Sequence, residues 1–158
     1  MMTQFFKLNY REKAWFCEAW IRFLVWHLRI KLQPYNQWKA KLFIEPEHVI
    51  EPTNTLPAGL PTKLTATIEQ AGRNHVILMN CLRRCLVTRD MLHRRSIPTK
   101  LHFGMRVCNG KAEAHCWLSC NGRLVNDSAE VVNRYAELQS VSVFNSLLTN
   151  MVTKGLTN

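Results

Sequence analysis

Two Asn-Gly dipeptides, Asn109-Gly110 and Asn121-Gly122, separate runs in which apolar residues alternate, and no other feature constrains the fold as strongly. Asn and Gly tolerate the positive φ angles that two-residue hairpin turns demand. Leu101, Phe103, Met105 and Val107 alternate with His102, Gly104 and Arg106 before the first dipeptide. Ala114 to Cys120 fills the space between the two, and Leu124-Val125 starts a further run into Asn126-Asp127. Three short antiparallel strands are predicted. Strict alternation puts His115, Trp117 and Ser119 on one face of the middle strand and Cys116, Leu118 and Cys120 on the other.

Upstream the period is helical. From Glu12 to Leu32, the residues Trp15, Glu18, Ile21, Arg22, Val25, Trp26, Leu28, Arg29 and Leu32 form an apolar stripe edged with basic groups, and Pro34 should end the helix. A short helix over Tyr35 to Phe43 follows. The prolines 46, 52, 57 and 61 then mark an extended connection. Thr62 to Gly72 reads as a helix capped by Thr62 and stopped near Gly72 and Asn74. Asn80 is a good N-cap for another, CLRRCLVTRDMLHRR, which Ile97-Pro98 should end. A helix is predicted near Ala129 to Leu138, with a weaker segment over Val141 to Val152. The expected division is residues 1–45 as N-terminal helices packed on the core, 46–61 as a Pro-rich connection and 62–158 as the core.

At 158 residues and 47% hydrophobic, the chain can bury a substantial core and is not a disordered tail. Its net charge of +10 is uneven: +5 over residues 1–45, +6 over 81–107, −1 over 46–80 and zero over 108–158. An anionic partner is therefore expected. The opening MMTQFFKLNYREKAWF lacks the pattern of a secretory signal, so the cytoplasm is the expected location and the six cysteines are read as thiols. The most apolar window, Ala14 to Leu32, carries Glu18, Arg22, His27, Arg29 and Lys31 and is not read as a membrane span.

A cysteine at the start of a helix faces unpaired N–H groups and the positive end of the helix dipole, both of which favour thiolate. Cys81 holds that place, whereas Cys85, one turn on, reads as core filler. A nucleophilic sulfur needs a base, and the base an orienting group. His115 on the middle strand and Asp127 on the next can supply them, in the chain order that papain-like and transglutaminase-like folds use.

The run Cys81-Leu82-Arg83-Arg84-Cys85-Leu86, the segment RRSIPTKLHFGMRV, Ala114-His115-Cys116-Trp117 and Asn126-Asp127-Ser128 together resemble the transglutaminase-like leader peptidases of lasso-peptide biosynthesis. The likeness spans residues 75–138, and the chain's length resembles the split, stand-alone form of that enzyme. It implies an α+β, papain-like or transglutaminase-like core with helices packed on a small antiparallel sheet. It also implies a Cys81–His115–Asp127 triad that releases a core peptide by cutting one leader bond, with a small pocket for a threonine near the leader's end. The implied partners are the precursor leader peptide, a leader-recognition protein (a RiPP recognition element) and an asparagine-synthetase-like cyclase. No cofactor, metal or nucleic acid is implied, and the likeness names no substrate-binding residue. Three positions depart from the family's pattern: Cys85 and Cys116 stand where small residues are usual, and Ser96 where Gly is common, which puts the turn after the double Arg in question.

Three other readings compete. A transglutaminase-like acyltransferase would share the triad but pass the acyl group to an amine. A zinc site from Cys81, Cys85, Cys116, Cys120 and His115 is disfavoured by the three-residue gaps within each Cys pair. A non-catalytic module could use Arg89, Arg94, Arg95, Lys100 and Arg106 to grip phosphates, but no aromatic platform accompanies them; an acidic leader or its carrier is the expected partner of these bases. His27, His48, His75, His93 and His102 are read as packing or surface residues.

Overall fold

The computed structural model describes residues 8–38, Leu42 and residues 59–138. Asn9 begins the first helix, α1 (Tyr10–Leu32), through a capping box: its side chain accepts from the Glu12 N–H, and Glu12 accepts from the Asn9 N–H. Trp15, Ala19, Phe23 and Trp26 are the buried stripe of α1. The predicted stripe is split: its Trp15 and Trp26 join Ala19 and Phe23 in the buried row, whereas its Ile21, Val25, Leu28 and Leu32 are exposed. Both rows lie at helical spacing, and the aromatic one packs against the helices beneath. Burying Phe23 alone contributes about 2 kcal/mol.

A single turn, α2 (Tyr35–Trp38), follows; the rest of the predicted helix apart from Leu42, most of the Pro-rich connection and the segment over 141–152 lie outside the described residues. Helix α3 (Leu60–Arg73) starts two residues earlier than expected. Gly59 is its N-cap at φ +88°, and Pro61 sits in the first turn, where a missing N–H costs nothing, so Thr62 is no cap. Helix α4 (Cys81–His93) has the predicted cap, with the Asn80 side chain accepting from the Arg83 N–H.

The end of α4 answers the question raised by Ser96. Ser96 N–H donates to the His93 carbonyl and Ile97 N–H reaches back to that of Leu92, closing a left-handed cap with Ser96 at φ +56°. Leu92 and Ile97, both buried, supply the apolar contact that accompanies this cap. The turn keeps the geometry that glycine would favour, at the cost of a Cβ there. Ser96→Gly should therefore raise stability by about 0.5–1 kcal/mol in urea unfolding, because relief of left-handed strain exceeds the entropy glycine loses.

Four strands follow: β1 (Lys100–Cys108), β2 (Lys111–Cys120), β3 (Arg123–Leu124) and β4 (Ala136–Glu137), arranged β3-β2-β1-β4. The fold is α+β, as expected. Both Asn-Gly pairs take positive φ, as the hairpin reading requires. Phe103 faces Cys116 across the β1–β2 ladder, and Cys116 and Leu118 point into the core that α4 covers.

The predicted helix over Ala129 to Leu138 is only one turn long, α5 (Ala129–Val132). Beyond it, Ala136 and Glu137 pair with Met105 and Gly104, and Leu138 N–H donates to the Phe103 carbonyl. The open edge of β1 thus competes with helix propagation and wins. Gly104 makes this possible, since an added Cβ would lie 2.8 Å from the Trp117 ring and 2.9 Å from Tyr135 Cβ. Trp117 is buried and stacked on His102, so it has nowhere to move. Gly104→Ala is expected to destabilise the domain by about 1–3 kcal/mol, read from the urea midpoint.

Much of the basic block is engaged inside the molecule. Arg95 pairs with Glu18 of α1 at 2.8 Å, Arg84 with Glu69 at 3.1 Å and Arg106 with Glu113 at 2.6 Å, while Arg89 donates to the Leu42 carbonyl at 2.7 Å. Trp26 Nε1 donates to Asp90 at 2.8 Å. These bonds fasten α1 and the sheet to their neighbours. The block is therefore largely a structural device, and of the five bases singled out in the sequence Arg94 and Lys100 are the exposed ones.

Candidate active site

Cys81 is the first residue of α4, so its sulfur sits where the backbone N–H groups of the first turn have no carbonyl partners within the helix. From β2, Cys116 brings both its thiol and its backbone N–H to that sulfur, and His115 brings its ring. The N–H is available because this edge of β2 lies beyond the two-residue β3; the Leu118 N–H on the same edge is taken by the Asn126 side chain at 2.7 Å.

These contacts hold the Cys81 thiol down to about 5. The Cys116 thiol is the largest cause, the Cys116 N–H and the His115 ring add to it, and burial works the other way. Cys116, by contrast, is pushed well above the usual thiol range by the sulfurs of Cys81 and Cys85 and by burial. One sulfur is thus ionised at neutral pH and its neighbour keeps its proton.

His115 Nε2 is hydrogen-bonded to Asp127 Oδ2, which leaves Nδ1 as the nitrogen for Cys81. Asp127 is not on a strand. It lies in the bend after β3, where its other oxygen accepts from the Ser128 N–H at 2.9 Å. Ser128 in turn caps α5, so Asn126-Asp127-Ser128 is at once a turn leading into a helix cap and the segment that reaches His115. The bend is fixed by Asn126, which accepts from Leu118 N–H and donates to Cys85 Sγ at 3.3 Å. Cys85 is buried, as expected, yet it is more than filler: its thiol also donates to the Cys116 carbonyl at 3.2 Å.

The faces of β2 follow the predicted alternation. His115 and Trp117 share the outer face with Tyr135, whose ring centroid is 5.0 Å from that of His115. Beyond Trp117, His102 joins Ser119 at 2.7 Å and Glu137 at 2.6 Å and so clamps β4 to the sheet. His102 therefore packs, as do His75 against Trp20 and His93 against Thr99.

A cleft of about 430 Å³ opens beside Cys81, with His115, Asp127, Met79, Glu69 and Arg84 in its walls. Burial raises the Glu69 carboxyl, and Arg84 faces it. The groove between α1 and α4 has a similar volume, about 450 Å³, but contains no cysteine or histidine. Among the described residues no three His, Cys, Asp or Glu side chains converge as a metal site, and no helix is long and apolar enough to cross a membrane.

A family model described as the transglutaminase-like superfamily matches residues 39–140, well over half of the chain. The chain belongs to the transglutaminase-like superfamily. The superfamily includes cysteine proteases and acyltransferases. No characterised protein and no solved structure matches the chain. The superfamily region takes in α3, α4 and the whole sheet, while α1 lies outside it. In this transglutaminase-like protein α1 is thus a further layer, packed on α3 and α4.

Sequence reasoning brought Cys81, His115 and Asp127 to one place. It missed the part played by Cys116, because alternation put its thiol on the opposite face from His115. Only the helix start, which approaches the open edge of β2, brings both to the same sulfur. Glu69 carried no signal at all.

Proposed function

We propose that this chain is a cysteine peptidase that cuts the leader from a ribosomally made lasso-peptide precursor, using Cys81, His115 and Asp127 as nucleophile, acid–base and orienting group. The observation that carries the reading is a helix-start sulfur sharing one cleft with an imidazole whose far nitrogen is held by a carboxylate. The superfamily and the motifs around these residues support it.

In this mechanism Cys81 thiolate attacks the carbonyl carbon of the leader–core bond. The Cys81 N–H, aimed outward at the helix start, stabilises the oxyanion. His115 gives its Nδ1 proton to the leaving amine of the core peptide, and a thioester between Cys81 and the leader remains. His115 then takes a proton from water, the hydroxide adds to the thioester, and the leader departs as a carboxylate with the thiolate restored. Asp127 keeps Nε2 protonated throughout, so that Nδ1 is the nitrogen that exchanges the proton. The partners in this reading are the precursor leader, a separate leader-recognition protein and an asparagine-synthetase-like cyclase that consumes the freed amine, all in the cytoplasm.

Product masses test the reaction type. Incubation of the precursor with this protein and the leader-recognition protein should give two peptides whose masses add to the precursor plus one water. A product joined to an added amine, with no water gained, would identify an acyltransferase instead.

A further inference from the structure

Three cysteines lead from the cleft toward the core. Cys81 and Cys116 both line the cleft, and Cys116, only 3% exposed, accepts at its carbonyl from the Cys85 thiol at 3.2 Å; its own thiol interacts with the sulfurs of Cys81 and Cys85. Cys85 is fully buried and fixed by the Cys116 carbonyl and Asn126. Hydrolysis calls for only the first of these sulfurs. A small apolar residue at 116 would leave the backbone N–H on Cys81 unchanged but remove the thiol that most favours its ionised form, so the Cys116 sulfur supports the nucleophile without being one of the three groups that carry out cleavage.

We propose that Cys81 and Cys116 form a reversible disulfide when a peroxide oxidises the protein, with Cys116 as the resolving thiol. An accessible thiolate beside a second thiol is the arrangement found in redox-sensing cysteines. Cys81 thiolate attacks one oxygen of hydrogen peroxide, the O–O bond breaks, and sulfenic acid forms while the departing hydroxide takes up a proton as water. Cys116 sulfur then attacks the Cys81 sulfur. Its proton goes to the leaving hydroxyl, a second water departs, and the S–S bond closes. Two thiols and one peroxide become one disulfide and two waters. Burial of Cys116 keeps outside thiols from it, so the bridge is opened by attack on the Cys81 side. Closure removes the nucleophile from the cleft and shields it from oxidation beyond sulfenic acid.

The test maps cysteine chemistry and needs no activity assay, so it stands apart from the peptidase reading. The reduced protein is treated with an excess of hydrogen peroxide, free thiols are trapped with N-ethylmaleimide, and proteolytic fragments are mapped by mass. A linked Cys81–Cys116 fragment, converted to two free thiols by dithiothreitol, is the expected result. In Cys116→Ser that fragment is lost and Cys81 is recovered as sulfinic acid, which dithiothreitol does not reverse; in Cys85→Ser the link still forms. Sulfinic acid at Cys81 without any link in the parent protein overturns the proposal, as does a link from Cys81 to another cysteine. Should the serine variants fail to fold, the map of the parent protein decides alone.

Discussion

Cys81→Ala is expected to reduce precursor cleavage by about 10⁶-fold, to the background left by binding and oxyanion contacts. The size of the effect follows from the two-step route: without the sulfur no thioester forms, and water would have to attack an amide directly. His115 and Asp127 cannot compensate, since each acts only through the proton on its way to or from the nucleophile. The variant should keep its fold, because Cys81 is at the cleft surface and the cap of α4 is made by Asn80. Circular dichroism together with single-turnover cleavage checks both points. Cleavage that survives in the alanine variant would move the chemistry to another residue.

Asp127→Ala is the next largest, with an expected fall of about 10⁴-fold in kcat. The His115 ring would lose the partner that fixes its tautomer, and Nδ1 would no longer be held toward the sulfur. Asp127→Asn should recover part of the loss, since its side-chain carbonyl can still accept from Nε2–H. Recovery by Asn and none by Ala identifies an orienting role. If both variants lose activity only as much as they lose stability, Asp127 merely braces the bend before α5.

Residues whose local chemistry allows one geometry were legible in the sequence. Asn80 before Cys81 is a cap with its helix, and each Asn-Gly pair is a turn that fixes the register of β1, β2 and β3. Those two features place Cys81 at a helix start and His115 and Asp127 on neighbouring segments at the sheet; the packing of α4 on β2 then joins them. Where several geometries satisfy the same pattern, the sequence was silent. Helix α1 carries two apolar stripes, and the packing of α3 and α4 selects the one with Phe23 and Trp26. The segment after Val132 has helix-forming residues, yet the free edge of β1 and the space above Gly104 draw Tyr135, Ala136 and Glu137 into the sheet. Arg84 and Arg95 look like free charges until their partners Glu69 and Glu18, distant in sequence, arrive from other helices. Long-range pairing of this kind leaves no local trace.

The thiolate at the head of α4 is the claim on which the mechanism depends, and the pH dependence of its alkylation tests it most directly. The thiolate is the reactive form. With a folded pKa depressed to about 5, reactivity is fully present at neutral pH and lost as pH falls through that value. Iodoacetamide labelling, followed peptide by peptide, should show Cys81 modified first at pH 7 with a midpoint near 5, and the midpoint should rise in His115→Ala. A Cys81 that labels with a midpoint near the ordinary thiol value of about 8.5, unchanged in His115→Ala, would contradict the account.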